Sequence, residues 1–284
     1  METPKVCIIM PVYNGQKTIE LALKSLFAQT YSNWECVIVN DGSTDGTRSI
    51  LDSLSDKRFK VIHLKKNAGR GAARQTCLNN AEGKYLAYLD ADDFYHHDKL
   101  KIQVEFLEMN PEIDLVACRV VAFDTNYNPV SQRITRKTNS CFFKDGNKLS
   151  ISMPTAMIRL DKAKTIRYNP RLDGVEDVDY FSRYLNKSYY ANFDLVLMYY
   201  YTGSTTYMKI LKFTLDNLHR GVFLLKRNFF AGAKVFFLSA IKLFIYSFAI
   251  PFVGVDFFIK RRGIKVSLEA SDEYFKELGC YKDN

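Results

Sequence analysis

With 284 residues, 47% of them hydrophobic and 14% aromatic, the chain has apolar mass for one large domain plus an appendage, and disorder is not expected. Its six cysteines form no Cys-x-x-Cys pair, which argues against metal ligation through sulfur; Cys7, Cys36 and Cys118 sit in strand-like apolar runs and read as free thiols of a reducing cytosol. The net charge of +9 is concentrated: residues 209–265 hold eleven Lys or Arg against Asp216 and Asp256, whereas 1–208 sum to +3 and 266–284 to −3.

The chain enters a strand within six residues, with no signal-peptide pattern before it. Short apolar runs without alternation predict strands over 6–10, 35–40, 60–64, 85–89 and 115–123, each covered on both faces. Helical spacing is found between them, over 18–30, 47–54, 72–81 and 99–110. Asp45, Asp98 and Asn67-Ala68-Gly69 stand where caps or loop starts belong. Strand and helix in series predict an α/β fold with a mostly parallel sheet, whose ligands bind at the carboxyl ends of the strands. The chemistry-bearing residues fall at those ends. Pro11, Tyr13 and Asn14 follow the first strand, Asp41 to Asp45 the second, Asn67 to Arg74 the third, and Asp90 to Asp93 the fourth.

From 125 to 149 the pattern lapses into polar residues, as expected of a functional or mobile loop. Order returns at 154–159, followed by a helix over 178–186 and a strand over 189–201. Beyond residue 206 the spacing is helical. Leu211, Leu215, Leu218, Val222 and Leu225 mark an amphipathic helix; 235–259 is far more apolar, broken by Lys242 and Asp256, and Pro251 is expected to kink it before Lys260-Arg261-Arg262. The favoured reading is a helix pair lying in the membrane interface, its basic residues on anionic head groups. Packing on the α/β core and a true span are the alternatives. Nucleic-acid binding fits poorly, because the charges alternate with long apolar runs. The expected division is a catalytic domain at 1–206 and a helical region at 207–284.

Asp90-Ala91-Asp92-Asp93 carries the sharpest chemistry. Three carboxylates at a strand end repel one another, so a cation is needed to neutralise them. An Asp-x-Asp pair there is a cradle for a divalent ion with positions left open for a phosphate, which suggests an enzyme handling a nucleoside diphosphate. The plainer reading is an acidic loop before the helix that starts after Asp98. Gly69-Arg70-Gly71-Ala72-Ala73-Arg74 nearly spells a dinucleotide fingerprint, but it follows the third strand and ends in Arg, so a dehydrogenase is rejected. No phosphate-binding G-x-x-x-x-G-K-[ST] loop occurs.

Taken together, Ile9-Met10-Pro11-Val12-Tyr13-Asn14, Val37-Ile38-Val39-Asn40-Asp41-Gly42-Ser43-Thr44-Asp45, Asn67 to Arg74, Asp90 to Asp93 and Glu176-Asp177 resemble family 2 of the glycosyltransferases, with the GT-A fold. The resemblance spans about residues 5–205 and includes many bacterial enzymes of cell-surface polysaccharide synthesis. It implies that Pro11, Tyr13, Asn14, Asp41, Asn67, Arg70, Arg74, Asp90 and Ala91 bind a nucleotide-sugar donor. Tyr13 would stack on the base, Asp41 accept the base imide N–H, Arg70 and Arg74 flank the diphosphate, and Asp90 meet the ribose. Asp92 would hold Mn2+ or Mg2+, and Asp177 would be the base of an inverting transfer; Glu176, Asp93 and His219 are possible support. The residues alone allow plainer readings: an Asx turn at Asp41, a solvated helix face for the arginines, and helix-dipole acids at Glu176 and Asp177.

The family's usual His near the domain's end is missing from Tyr199-Tyr200-Tyr201-Thr202-Gly203-Ser204. His219 is a weak stand-in, and His96 and His97 read as a polar loop. The Gln-x-x-Arg-Trp motif of processive relatives is absent, the one Trp being Trp34, so transfer of a single sugar is expected. A uridine nucleotide is favoured as donor and a glycan or lipid-linked saccharide as acceptor, at the cytoplasmic face of an anionic membrane. A nucleotidyltransferase, or a degenerate GT-A scaffold at the membrane, are the competing readings.

Overall fold

A computed structural model of the chain describes residues 3–133, 138–144, 151, 153–172, 174–203, 206–255 and 264–282. In chain order the elements are β1 Val6–Val12, α1 Ile19–Phe27, β2 Trp34–Asn40, α2 Thr47–Asp52, β3 Phe59–His63, α3 Arg70–Asn80, β4 Tyr85–Tyr88, β5 Phe94–Tyr95, α4 Lys99–Met109 and β6 Ile113–Phe123. There follow β7 Pro129–Arg133, β8 Thr138–Phe143, β9 Met157–Arg159, α5 Leu160–Lys164, α6 Glu176–Tyr184, β10 Ser188–Tyr201, α7 Tyr207–Leu225, α8 Phe229–Val253 and α9 Leu268–Lys282.

One sheet orders its strands β3-β2-β1-β4-β9-β6-β10-β5, with β7 beside β6 and β8 beside β10. β1 pairs in parallel with β2 and β4, and β2 with β3, as the alternation of strands and helices requires. Successive residues of β1 feed opposite faces. Val6, Ile8 and Met10 pack with Ile19, Leu23 and Leu26 of α1; Cys7 and Ile9 pack with Ala73, Cys77 and Leu78 of α3. Burial on both faces is why these strands read as unbroken apolar runs.

The middle of the sheet differs from the expected order. Met157–Arg159 enters as β9, antiparallel to both β4 and β6. Among the described residues no crossover helix precedes it, and a parallel strand would need one. The expected loop at 125–149 contains β7 and β8, antiparallel to β6 and β10; residues 134–137 and 145–150 lie outside the described residues.

The expected helical region at 207–284 separates into two packings. α9 docks on the sheet: Tyr274, Leu278 and Tyr281 join Phe94, Phe123 and Tyr199 in one buried cluster. α7 and α8 form an antiparallel hairpin. Thr206 caps α7 by accepting from Lys209 N, and Asn228 caps α8 by accepting from Ala231 N. At Gly221 a Cβ would stand 2.8 Å from Phe236 N, so glycine lets the two backbones approach. α8 runs through Pro251 to Val253 without ending at it. Proline in the last turn leaves only the Ser247 carbonyl without its helical donor, and Tyr207 Oη donates there at 3.3 Å.

Core packing of α8 is not what forms. The stretch Phe229–Phe252 is long and apolar enough to cross a membrane, and only 11% of its most apolar window is buried. Phe237, Ile241, Phe244 and Phe248 are exposed on it. Asp256 and Lys260-Arg261-Arg262 lie outside the described residues.

Candidate active site

The first three strand ends are stitched to one another by backbone and short side chains. Tyr13, at the end of β1, is half exposed, an open aromatic face. Asn14 next to it takes a left-handed φ of 53°; its N–H donates to Ser43 Oγ and its Oδ1 accepts from Thr44 N. Gly42 must be glycine twice over, with φ at 67° and any Cβ only 2.5 Å from the Lys66 carbonyl carbon. Asp41 is buried. Its two oxygens accept from Ala68 N at 2.7 Å and Gly69 N at 3.0 Å, and Asn67 Oδ1 also accepts from Gly69 N. Asp41 therefore latches the turn after β3 onto the end of β2, which an Asx turn at Gly42 would not do.

The turn Asp90 to Asp93 is held from both sides. Ala91 is buried beneath it. β5 follows at once and pairs antiparallel with β10, and buried Asp93 accepts from Tyr201 N at 2.9 Å. Asp93 thus ties the acidic turn to the end of β10, the stretch that leads into α7. It is an anchor for the turn, not a ligand facing outward.

The two arginines part company. Arg70 opens α3 and its side chain is 60% exposed, 3.9 Å from Glu176 Oε1. Arg74, one turn later, is buried. Its Nη1 meets Glu176 Oε1 at 2.5 Å and its Nη2 meets Asp90 Oδ1 at 3.1 Å. Burial opposes its charge, but Asp90 and Glu176 outweigh that and hold the guanidinium well above its ordinary pKa. Arg74 was expected beside the donor diphosphate. It is instead a clamp between β4 and α6, because position 74 falls on the buried stripe of α3 with Gly71, Cys77 and Leu78.

The clamp exhausts Glu176, whose other oxygen accepts from Gly174 N at 2.6 Å. Asp179, on the next turn, is paired with Arg183 at 2.7 Å and Arg227 at 3.6 Å. Asp177 is left facing a narrow cleft with Asp90, Arg74, Tyr88 and Tyr168. Burial raises its pKa, with Arg74 opposing and Glu176 adding to the rise. Asp173 lies outside the described residues.

Asp92 is held above the ordinary carboxylate range. Burial first, and the neighbouring Asp90 second, push its pKa up to about 6, with Lys209 and Arg70 opposing. Hard oxygens at that density fit a divalent ion, with few protein ligands and open positions. His219 does not join them: it is exposed midway along α7 and makes no hydrogen bond or ion pair among the described residues.

His96 and His97 are more than a polar loop. They stack at 4.2 Å and face α9, where Glu277 pairs with His97 Nδ1 at 2.5 Å. With Glu277 they bring three metal-type side chains within 4.8 Å. Yet His96 Nδ1 accepts from Asp98 N at 3.1 Å. That places the proton on Nε2, the atom facing Glu273 and Glu277, so the ring donates to carboxylates and has no lone pair there for a cation. The cluster anchors α9. A pair of histidines beside a strand gave no sign of this, because their partners lie some 180 residues on.

Acids and arginines gathered at the carboxyl ends of a mostly parallel sheet are what a nucleotide-sugar-binding α/β fold presents, and known proteins share the arrangement. The model of glycosyl transferase family 2 matches residues 7–166, more than half of the chain, which belongs to that family. The putative teichuronic acid biosynthesis glycosyltransferase TuaG of Bacillus subtilis is 43% identical over 106 residues, 37% of this chain and 42% of that protein. The Escherichia coli enzyme WfgD, a UDP-Glc:alpha-D-GlcNAc-diphosphoundecaprenol beta-1,3-glucosyltransferase, is 38% identical over 110 residues, 39% of this chain and 44% of that protein. The chain therefore spans less than half the length of these curated relatives. The crystal structure of S. aureus TarS 1-349 in complex with UDP-GlcNAc superposes with a TM-score of 0.64 at 22% identity, covering 98% of this chain and 80% of that one. That likeness establishes the GT-A fold.

Two outcomes test the site. Arg74→Met leaves buried Glu176 without its counter-charge and is expected to lower unfolding free energy by about 3–5 kcal/mol in urea titrations. Unchanged stability with weaker nucleotide binding would give Arg74 a diphosphate role after all. For Asp92, the fold holds the proton up to about pH 6, whereas the unfolded chain releases it near about 4. Stability from the protonated acid is thus complete below about pH 4 and lost as pH rises through about 6. At pH 7 without divalent ions, Asp92→Asn is expected to raise unfolding free energy by about 1–3 kcal/mol while abolishing Mn2+ binding by calorimetry. A variant that is destabilised and still binds Mn2+ would make Asp92 a structural acid.

Proposed function

We propose that this chain moves one sugar from a nucleoside diphosphate donor to an acceptor hydroxyl, with inversion, in the synthesis of a cell-surface polysaccharide. The observation that carries this is the Arg74 clamp, which joins Asp90 to Glu176 beside a cleft that Asp90 and Asp177 both line, with Asp92 two residues on from Asp90. Tyr13 supplies a face for the base, and each Asp41 oxygen keeps a second lone pair for the base imide N–H. Arg70, exposed at the amino end of α3, offers paired donors and a favourable helix end to the diphosphate. A uridine nucleotide is the donor we favour, in keeping with the UDP sugars named for TarS and WfgD.

The residues fit a divalent cation: Asp92, with Asp90 adjacent, would hold Mn2+ or Mg2+. Such an ion, when bound, supplies charge that stabilises the departing nucleoside diphosphate. Asp177 takes the proton from the acceptor hydroxyl as that oxygen attacks the anomeric carbon. Its partners leave it available, since Glu176 and Asp179 are both held in ion pairs. A raised pKa strengthens it as a base and moves the acid limb of its activity to higher pH than an ordinary carboxylate would give. Asp177→Asn keeps the shape and removes the proton acceptor. Transfer is expected to fall by about 10²–10⁴-fold with donor KM little changed, and the acid limb of the pH profile to disappear. Transfer within a few-fold of the parent enzyme would put the base elsewhere.

The acceptor we favour is a lipid-linked saccharide, the class named for WfgD, met at the cytoplasmic face of the membrane. The exposed apolar side of α8 and the basic excess of 209–265 support that placement. Binding to anionic liposomes is expected to weaken in high salt without vanishing, because the charges are screened and the buried rings are not. Phe244→Ser with Phe248→Ser should remove the salt-resistant part. Full-length protein that ignores anionic liposomes at low salt would exclude membrane attachment by this hairpin.

A further inference from the structure

Helix α7 runs along the mouth of the cleft and is registered against it at three places. In its first turn, the charge of Lys209 acts on Asp92. Two turns on, Asp216 packs directly on Gly174, just ahead of α6, where no Cβ would fit. Past its end, Arg227 Nη1 lies 3.6 Å from Asp179 Oδ1. The adjoining face of α7 has another character. Met208, Leu211 and Leu215, with Leu243 of α8, wall an open groove of about 430 Å3 that Lys209 and Lys212 also line.

We infer that this groove seats the acceptor, an amphiphilic saccharide diphosphate. Its phosphates bind Lys209 and Lys212, its hydrocarbon chain lies along the four apolar residues, and its sugar is presented toward Asp177. The inference rests on the glycosyl-transfer reading and adds to it a binding site and a ligand chemistry. Residues three apart on a helix are neighbours, so the two ammonium groups match two adjacent phosphates. The single phosphodiester of an ordinary membrane lipid would occupy one. The amino end of α7 adds positive potential at the same spot. The apolar walls offer nothing to a free nucleotide sugar, and the exposed side of α8 next to them gives a hydrocarbon chain a dry path out of the bilayer.

The test uses the full chain and a synthetic monosaccharide diphosphate carrying either an ethyl or an undecyl chain. Calorimetric binding is measured alongside transfer from a UDP-sugar. The undecyl compound is expected to bind at least about 10-fold more tightly than the ethyl one. Leu215→Asp should erase that difference. Lys212→Ala should weaken binding of both compounds by about 5–20-fold and raise acceptor KM with donor KM little changed. An undiminished chain-length effect in Leu215→Asp overturns the inference. So does a Lys212→Ala variant that loses only affinity for anionic vesicles, since the groove would then hold membrane phospholipid. Binding that responds as expected without any sugar transfer would uphold the groove and overturn the glycosyl-transfer reading instead. Transfer that proceeds while both variants bind as the parent does would overturn the groove alone.

Discussion

The structure depends on one buried guanidinium. Arg74 joins Asp90, at the end of β4 and 16 residues on, to Glu176, at the start of α6 and 102 residues on. Glu176 is buried and Asp90 partly so, and a buried charge is costly without a paired and hydrogen-bonded partner. Arginine suits the place, because its planar fork serves two acids at once and it does not lose its proton. The consequence for function is positional. One acid of the clamp stands in the acidic turn after β4, and the other is followed at once by Asp177. The spacing of the two proposed halves of the site is therefore set by an ion network and not by a loop.

A second tie runs the other way round the cleft. Asp93 holds Tyr201 N, and β5 pairs with β10, so the acidic turn and the end of β10 move together. From that end the chain passes directly into α7, which returns along the mouth to meet Gly174 and Asp179. The hairpin that leaves an apolar side exposed is thus mechanically continuous with the turn bearing Asp92. α9 reinforces the same corner from outside, through Tyr274 and Tyr281 against Phe94 and through Glu277 against the two histidines.

How much was legible follows from the kind of interaction involved. β1 to β4 could be read because double-sided burial leaves continuous apolar runs, and the strand ends because each run gives way abruptly to polar residues. The strand-end position of Tyr13, Arg70 and Asp92 came from that pattern, and the choice of Asp177 from the family resemblance. What escaped was set by partners distant in sequence. Asp41 looked like an open acceptor, but its latch to Ala68 and Gly69 exists only once β2 and β3 are paired. Arg74 was expected to flank the diphosphate, and its ion pairs to Asp90 and Glu176 were not foreseen, although its place three residues after Gly71 and four before Leu78 already put it on the buried stripe of α3. β9 was read as an ordered stretch, and nothing local to three residues reveals its direction. At Pro251, where a kink is expected, the helix continues to Val253, and the hydroxyl that serves the released carbonyl sits on another helix, out of reach of a local reading.

Asp92 and Asp177 are both held above the ordinary carboxylate range, and burial is the leading cause at each, yet the second cause differs. At Asp92 it is a like charge, Asp90, opposed by a backbone hydrogen bond at Asp92 itself and then by Lys209 and Arg70. A site of that kind gains most from a multivalent cation, which relieves both acids together. At Asp177 it is Arg74, which opposes the rise and is already committed to two other carboxylates. A further cation has less to gain there, while a proton arriving from a neutral hydroxyl adds no charge to the cleft beyond what it removes. Arg74 acts on Asp177 and is not among the groups that relieve Asp92, and the proposed roles of proton acceptor and cation ligand rest on that difference.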